Sequence, residues 1–305
     1  MSEEIMDVVI IGTGPAGLQA AVHAVRKKIS VIVLGRAENS SIHAAHVENY
    51  LGVEGVVDGS ELLRIGLAQV KKFGAEILAE DVLHIEEAQG LFRVKTESRV
   101  IDARAVVIAM GTARKKLKVK GEKELTGRGV SYCVDCDANF FRNAKVAVVG
   151  DGSAAVDGAL TLTGYASEVY LVSRKVDVSG GLAEKLAAST VKVMENIWVK
   201  EISGDNAVTG LLLEDDTVLE VEGVFVELGA KGAMELAVNL GVMLDSESFT
   251  HIETDKKQAT NIAGVYAAGD IAGQPYQMAK AVGEGCVAGW EAANYARKRK
   301  SGEKA

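Results

Sequence analysis

Proline is nearly missing from this chain: Pro15 and Pro275 are the only two in 305 residues, which excludes Pro-rich linkers and collagen-like repeats. Cysteine is scarce as well. Three in a chain of this length are too few for a disulfide scaffold, so a closely spaced pair among them reads as catalytic or metal-binding. Positive charge is in the minority, with 34 Lys and Arg against 42 Asp and Glu, and no aromatic-basic interleaving offsets it, which argues against nucleic-acid binding. Long hydrophobic runs are lacking too. The apolar stretches at 8–11, 31–34 and 105–110 are of strand length, far below the ~20 residues of a membrane helix, so no membrane span is expected. Met1-Ser2-Glu3-Glu4 carries no basic n-region and no long apolar run follows it, so the expected location is the cytoplasm.

What is present is an ordinary globular composition, 48% hydrophobic and 25% charged, with 33 glycines that point to tight turns and close backbone approaches. The length suggests about two domains. Residues 7–11 read as a buried strand, followed by Gly12-Thr13-Gly14-Pro15-Ala16-Gly17 and a helical stretch over 18–25. Such a turn needs glycines for its bend, for backbone contact with a pyrophosphate and for close helix packing, while the helix N-terminus supplies N–H donors to the anion. A second strand at 30–34 completes the unit. The ribose-binding acid expected at its end is Glu38, slightly late.

The pattern recurs. A strand at 145–149 leads into Gly150-Asp151-Gly152-Ser153-Ala154-Ala155 and another helix, and a further strand at 168–172 ends in Ser173-Arg174-Lys175. Basic residues there favour a 2′-phosphate, hence NADP; the alternative is a solvated pair of surface charges. Two dinucleotide sites in one chain imply a flavin that stores two electrons and a nicotinamide that supplies them, or one cofactor and one relic. The strand over 101–112, ending in a small-residue turn at Gly111, reads as the first domain's exit. The segment 264–270 ends in Gly269-Asp270, which can receive a ribityl chain or can be a ligand-free turn, and 277–297 is helix-prone.

Just upstream of the second glycine turn lies Cys133-Val134-Asp135-Cys136, with Asp137 next. Two thiols three apart can close a disulfide. A helix N-terminus would lower one thiol's pKa, while Asp135 and Asp137 would oppose the thiolate. A structural zinc site wants four ligands, and neither distant Cys286 nor the five scattered histidines supply a second pair, so no metal is expected.

In order along the chain, Gly12-x-Gly14-Pro15-Ala16-Gly17, His46-Val47-Glu48-Asn49-Tyr50-x-Gly52, Gly127-Arg128-Gly129-Val130-Ser131-x-Cys133-x-x-Cys136-Asp137, Gly150-x-Gly152-x-x-Ala155 and Gly264-Val265-Tyr266-Ala267-Ala268-Gly269-Asp270 resemble the low-molecular-weight thioredoxin reductase family. The resemblance implies an α/β fold of two Rossmann-like dinucleotide-binding domains, one inserted in the other. An FAD domain would comprise 1–113 and 242–305, and a nucleotide and dithiol domain 114–241. It implies a homodimer in which Cys136 lies nearer the flavin, Cys133 attacks the disulfide of thioredoxin or a thioredoxin-like protein, and Asp137 manages protons. One domain would rotate against the other between the two encounters. Cofactor contacts are expected from Gly12, Gly14, Pro15, Ala16, Gly17, Glu38, Asn49, Gly111, Gly269, Asp270 and Gln277 on the FAD side. On the nucleotide side they are expected from Gly150, Gly152, Ser153, Ala154, Arg174 and Lys175.

The chain also departs from that family. Asn39-Ser40-Ser41 stands in place of Gly-Gly-Gln, Ser173-Arg174-Lys175 with distal Ser179 in place of His-Arg-Arg and a later Arg, and Gly229-Ala230-Lys231-Gly232-Ala233 in place of Gly-His-x-Pro-Asn. These differences bear on the electron donor, for which NADPH is preferred over ferredoxin or a reduced deazaflavin. Two other activities fit the same residues: a flavin-dependent dithiol oxidase that passes electrons to oxygen, and a non-catalytic redox sensor switched by its dithiol.

Overall fold

The computed structural model describes residues 5–112, 116–229, 232–246 and 249–302. The chain divides into two compact units, Met1–Ala113 with Gly232–Ala305, and Arg114–Lys231. The first unit opens with β1 (Met6–Ile11), α1 (Pro15–Val25) and β2 (Val31–Leu34). All of β2 and five of the six residues of β1 are buried, as expected of parallel strands covered on both faces. Next come α2 (Gly59–Lys72), β3 (Glu76–Leu78), β4 (Val82–Ala88), β5 (Leu91–Thr96) and β6 (Val100–Ile108).

The inserted unit carries β7 (Val130–Ser131), α3 (Val134–Asp137), β8 (Lys145–Val149), α4 (Ser153–Leu162), β9 (Glu168–Val172) and α5 (Gly180–Ala187). It continues with β10 (Lys192–Met194), β11 (Val199–Ser203), β12 (Gly210–Leu213), β13 (Val218–Leu219) and β14 (Gly223–Val226). The chain then returns to the first unit with α6 (Ala233–Asn239), β15 (Val265–Ala267) and α7 (Met278–Ser301).

The first unit is built on a seven-stranded sheet in the order β3-β2-β1-β6-β5-β4, with β15 also paired to β6. Strands β3, β2, β1, β6 and β15 are parallel, whereas β4, β5 and β6 pair antiparallel. The period-two alternation of side chains sorts its core. Val8, Ile10, Val31 and Val33 pack with α1, α2 and α7, while Val9, Ile11, Ile32 and Leu34 face the side that α6 covers. The inserted unit repeats this plan on a five-stranded parallel sheet, β10-β9-β8-β14-β7. Its Val146, Val148 and Leu171 pack on α4 and α5, and its Ala147, Val149 and Val172 pack on the antiparallel trio β11-β12-β13.

The second boundary differs from the sequence expectation. The return to the first unit comes at 232 rather than 242, because α6 buries Leu236 and Ala237 in the first unit's core beside Ile252 and Ile271. The expected exit after 113 falls among residues outside the described ones. Helices α1 and α7 run side by side in one direction at backbone contact. A Cβ placed on Gly285 would lie 2.2 Å from the Ala16 carbonyl oxygen, and one on Gly289 would lie 2.1 Å from that of Ala20. Replacing Gly289 by Val should therefore force the helices apart and lower stability by about 1–3 kcal/mol, seen as a lower urea midpoint at constant slope; an unmoved midpoint contradicts this packing.

Candidate functional site

Three strand ends converge at the first glycine turn. Gly12, just past β1, adopts φ +118°, and a Cβ there would stand 2.3 Å from the carbonyl oxygen of Ala109, just past β6. A side chain at Gly17 would stand 1.9 Å from the Gly12 oxygen, so both positions admit only glycine without backbone movement. Gly269, past β15, lies against Ala16, and Gly111, three residues beyond β6, has open space above it. Gly14 is the N-cap of α1 and Pro15 opens the helix, with no acid in its first turn. Among the described residues no carbonyl is bonded to the amides of Ala16 and Gly17. Those donors fit a diphosphate, whose charge the helix N-terminus also favours.

The Gly269–Gly273 loop is held by a pair absent from the sequence reading. Lys280 Nζ donates to the carbonyl oxygens of Gly269 and Gly273 at 2.8 and 2.6 Å, and Glu284 accepts from the Gly269 N–H at 2.9 Å. Lys280 and Glu284 also pair with each other at 2.9 Å. Their four-residue spacing marks a helical ion pair, but nothing local reveals the loop it clamps. Burial pushes the Asp270 carboxyl above its ordinary pKa, against the pull of Lys280 and His251. Asn49 Nδ2 donates to Gln277 Oε1 at 3.1 Å, joining two expected contact residues that are 228 positions apart.

Glu38 does not occupy the end of β2. It is exposed on a short turn, Ala37–Asn39, and the strand end is held instead by Arg36, bonded to Asp81 at 2.7 Å and Glu97 at 2.9 Å. Burial works against the Arg36 charge, yet these two carboxylates hold its pKa above the ordinary value.

In the inserted unit Cys133 and Cys136 form a disulfide with Cα atoms 5.3 Å apart. Cys133 caps α3: its Sγ accepts from the Cys136 N–H at 3.2 Å. Only 6% of Cys133 is exposed, whereas Cys136 is open. Ser131, at the end of β7, organises the group. Its Oγ donates to Asp137 Oδ2 at 2.6 Å and accepts from the Cys133 N–H at 3.1 Å. Ser131 had no role in the sequence reading, although a buried hydroxyl two residues before the first cysteine is a signal in hindsight. Val134 anchors α3 against α4, where the absence of a side chain on Gly158 leaves room for it. Cys286 is a free, partly covered thiol on α7.

The model of the pyridine nucleotide-disulphide oxidoreductase family matches residues 6–285. The chain is 36% identical to a thioredoxin reductase of Listeria monocytogenes over 98% of its own length and 96% of the relative's. It is likewise 36% identical to one of Bacillus subtilis, over 97% and 96%. The chain belongs to the thioredoxin reductase group of that family. Among solved structures it resembles the atypical thioredoxin reductase TRi of Desulfovibrio vulgaris Hildenborough, with TM-score 0.84, 33% identity and 96% and 98% of the two chains covered. It also resembles a ferredoxin-flavin thioredoxin reductase of Clostridium acetobutylicum, with TM-score 0.68, 35% identity and coverage of 97% and 98%.

As a member of this family the chain is a flavin-dependent disulfide oxidoreductase with the two-domain Rossmann-like fold. The described helices include none long and apolar enough to cross a membrane. Removing the Ser131 hydroxyl leaves the buried Cys133 N–H without its acceptor and Asp137 without its tether. Ser131→Ala should therefore cost about 1–3 kcal/mol in stability and shift the pH profile of disulfide turnover, while flavin content stays constant; an unchanged profile contradicts the tether.

Proposed function

We propose that the chain reduces the disulfide of a thioredoxin-like protein through Cys133 and Cys136, using electrons that enter by way of FAD. The observation that carries this reading is the Cys133–Cys136 disulfide seated on the start of α3, with one sulfur capped and the other open. FAD would be held by the turn Gly12–Gly17, Gly111, Gly269 and Asp270, with Asn49 and Gln277 at the side; when bound it supplies a two-electron store.

The chain's own chemistry follows from the geometry. Reduction of the disulfide places one thiol on each cysteine, and the Cys136 N–H that points at Cys133 Sγ favours the thiolate there. That thiolate attacks one sulfur of the partner's disulfide, forming a mixed disulfide and releasing the partner's other sulfur as thiolate. Cys136, as thiolate, then attacks Cys133 Sγ; the Cys133–Cys136 bond re-forms and the partner leaves with both sulfurs reduced. Asp137, tethered by Ser131, is placed to move the protons that these exchanges require.

Family resemblance implies that one domain rotates against the other, so that the dithiol meets the flavin and the protein partner in turn. Solution as a homodimer and residence in the cytoplasm belong to the same reading. The partner's dithiol potential, near −270 mV in thioredoxins, requires the enzyme dithiol to be comparably reducing. For the donor, the NADPH preferred from sequence competes with ferredoxin and a reduced deazaflavin.

Cys133→Ser should lower turnover of a thioredoxin disulfide by about a thousandfold or more with full flavin content, while Cys136→Ser should trap the mixed disulfide, visible by mass spectrometry of the intact adduct. Undiminished turnover in the Cys133 variant would remove the proposal's basis. Asp270→Ala should release FAD, read as loss of flavin absorbance after gel filtration, with the apoprotein still folded; retained flavin would remove Asp270 from the site.

A further inference from the structure

The two glycine turns of this chain are finished differently. At α1 the amides of Ala16 and Gly17 receive no carbonyl among the described residues. At α4 the Ala154 N–H already donates to the carbonyl oxygen of Gly229 at 3.3 Å, and that oxygen lies 3.1 Å from where a Cβ on Gly152 would be. One phosphate-facing donor of the second turn is thus committed to the chain itself.

The larger difference lies at the strand that follows. In a Rossmann unit the end of the second strand reads the adenosine ribose: an acid there accepts from the 2′-hydroxyl, and a basic residue receives a 2′-phosphate. Here the end of β9 carries a carboxylate that the glycine turn contributes. Asp151 Oδ1 accepts from Ser173 Oγ and from the Arg174 N–H, both at 2.8 Å, and the Asp151 carbonyl oxygen accepts from the Asp177 N–H at 2.8 Å.

The guanidinium that would receive a 2′-phosphate is engaged elsewhere. Arg174 donates to Glu214 at 3.1 Å and stacks over Trp198 at 5.2 Å. Glu195 accepts from the Val176 N–H at 2.9 Å, adding a further carboxylate to the same loop. The carboxylates of Asp151, Glu195 and Glu214 therefore all accept from a stretch whose own cations are Arg174 and Lys175.

We propose that Asp151 makes the second glycine turn select against 2′-phosphorylated nucleotides, so that NADPH is excluded there and a ribose with a free 2′-hydroxyl is the only nucleotide form the turn accepts. A phosphate dianion beside this carboxylate is repelled, whereas a hydroxyl can donate to it. Arg174 would meet such a phosphate with one of its donors already bonded to Glu214, whose charge offsets its own. The inference rests on the reading of the inserted unit as a nucleotide-type domain of a disulfide reductase.

The test uses the full-length, FAD-loaded protein and two probes of the adenosine half, 5′-AMP and 2′,5′-ADP, titrated calorimetrically. The wild type should bind 2′,5′-ADP more weakly than 5′-AMP, or not at all. Asp151→Asn keeps an acceptor for Ser173 and Arg174 but removes the charge, and should raise 2′,5′-ADP affinity about tenfold or create it, with 5′-AMP moving much less. Adding Glu214→Gln should raise it further by releasing Arg174. A wild type that prefers 2′,5′-ADP, or an Asp151→Asn variant with unchanged 2′,5′-ADP binding, overturns the proposal. Reduction of a thioredoxin disulfide by the photoreduced wild-type protein is measured alongside: its failure would count against the reductase reading, and its success with NADPH bound tightly would count against Asp151 alone.

Discussion

Backbone-to-backbone contact at positions that cannot carry a side chain is the constraint on which the first unit depends. Gly12 against Ala109 and Gly17 against Gly12, with Gly269 against the Ala16 methyl group, bring the ends of β1, β6 and β15 together at the head of α1. Any Cβ at Gly12 or Gly17 would meet a carbonyl oxygen well inside van der Waals distance, so the strand ends would separate and the cluster of amides would open. Gly285 and Gly289 extend the same principle along α7, whose Lys280 and Glu284 then reach the Gly269–Gly273 loop. Packing and site are thus one feature: the helix that closes the core also holds the loop beside the glycine turn.

The inserted unit uses the same sheet design for a different purpose. Its glycine turn gives the Ala154 N–H to the chain's own Gly229 carbonyl and ties the Asp151 carboxylate to Ser173 and Arg174, while its chemical asset is the disulfide on α3. Two acids flank the second cysteine, and like charge opposes a thiolate. The Cys136 N–H acts in the other direction at Cys133, and Ser131 fixes one Asp137 oxygen by hydrogen bonding. The balance between attraction by a local N–H and repulsion by neighbouring carboxylates sets which sulfur is the stronger nucleophile.

Much of this was legible in the sequence. The apolar runs of β1, β2, β8 and β9, each covered on both faces, and the glycine turns after β1 and β8 identify both Rossmann-like units without further help. The spacing of Cys133 and Cys136 announces a disulfide in a chain otherwise poor in cysteine. What escaped was tertiary. The antiparallel strands β4 and β5 and the trio β11-β12-β13 carry no motif, and α6 is a short helix whose allegiance is decided by the core it meets rather than by its own residues. Arg36 is held at the end of β2 by Asp81 and Glu97, which approach from 45 and 61 residues away in the chain. Asp151 reads as the variable residue between two glycines until its carboxylate is seen on β9, 22 and 23 positions away.

The proposed function requires that the sulfur pair and a bound flavin share electrons within one chain. An anaerobic reductive titration of the flavin-loaded protein, followed by flavin absorbance and thiol counting, reads both electron stores at once. The flavin should take up two electrons and the disulfide two more, with two new thiols per chain that vanish when a thioredoxin disulfide is added. Flavin bleaching with no new thiols would contradict it.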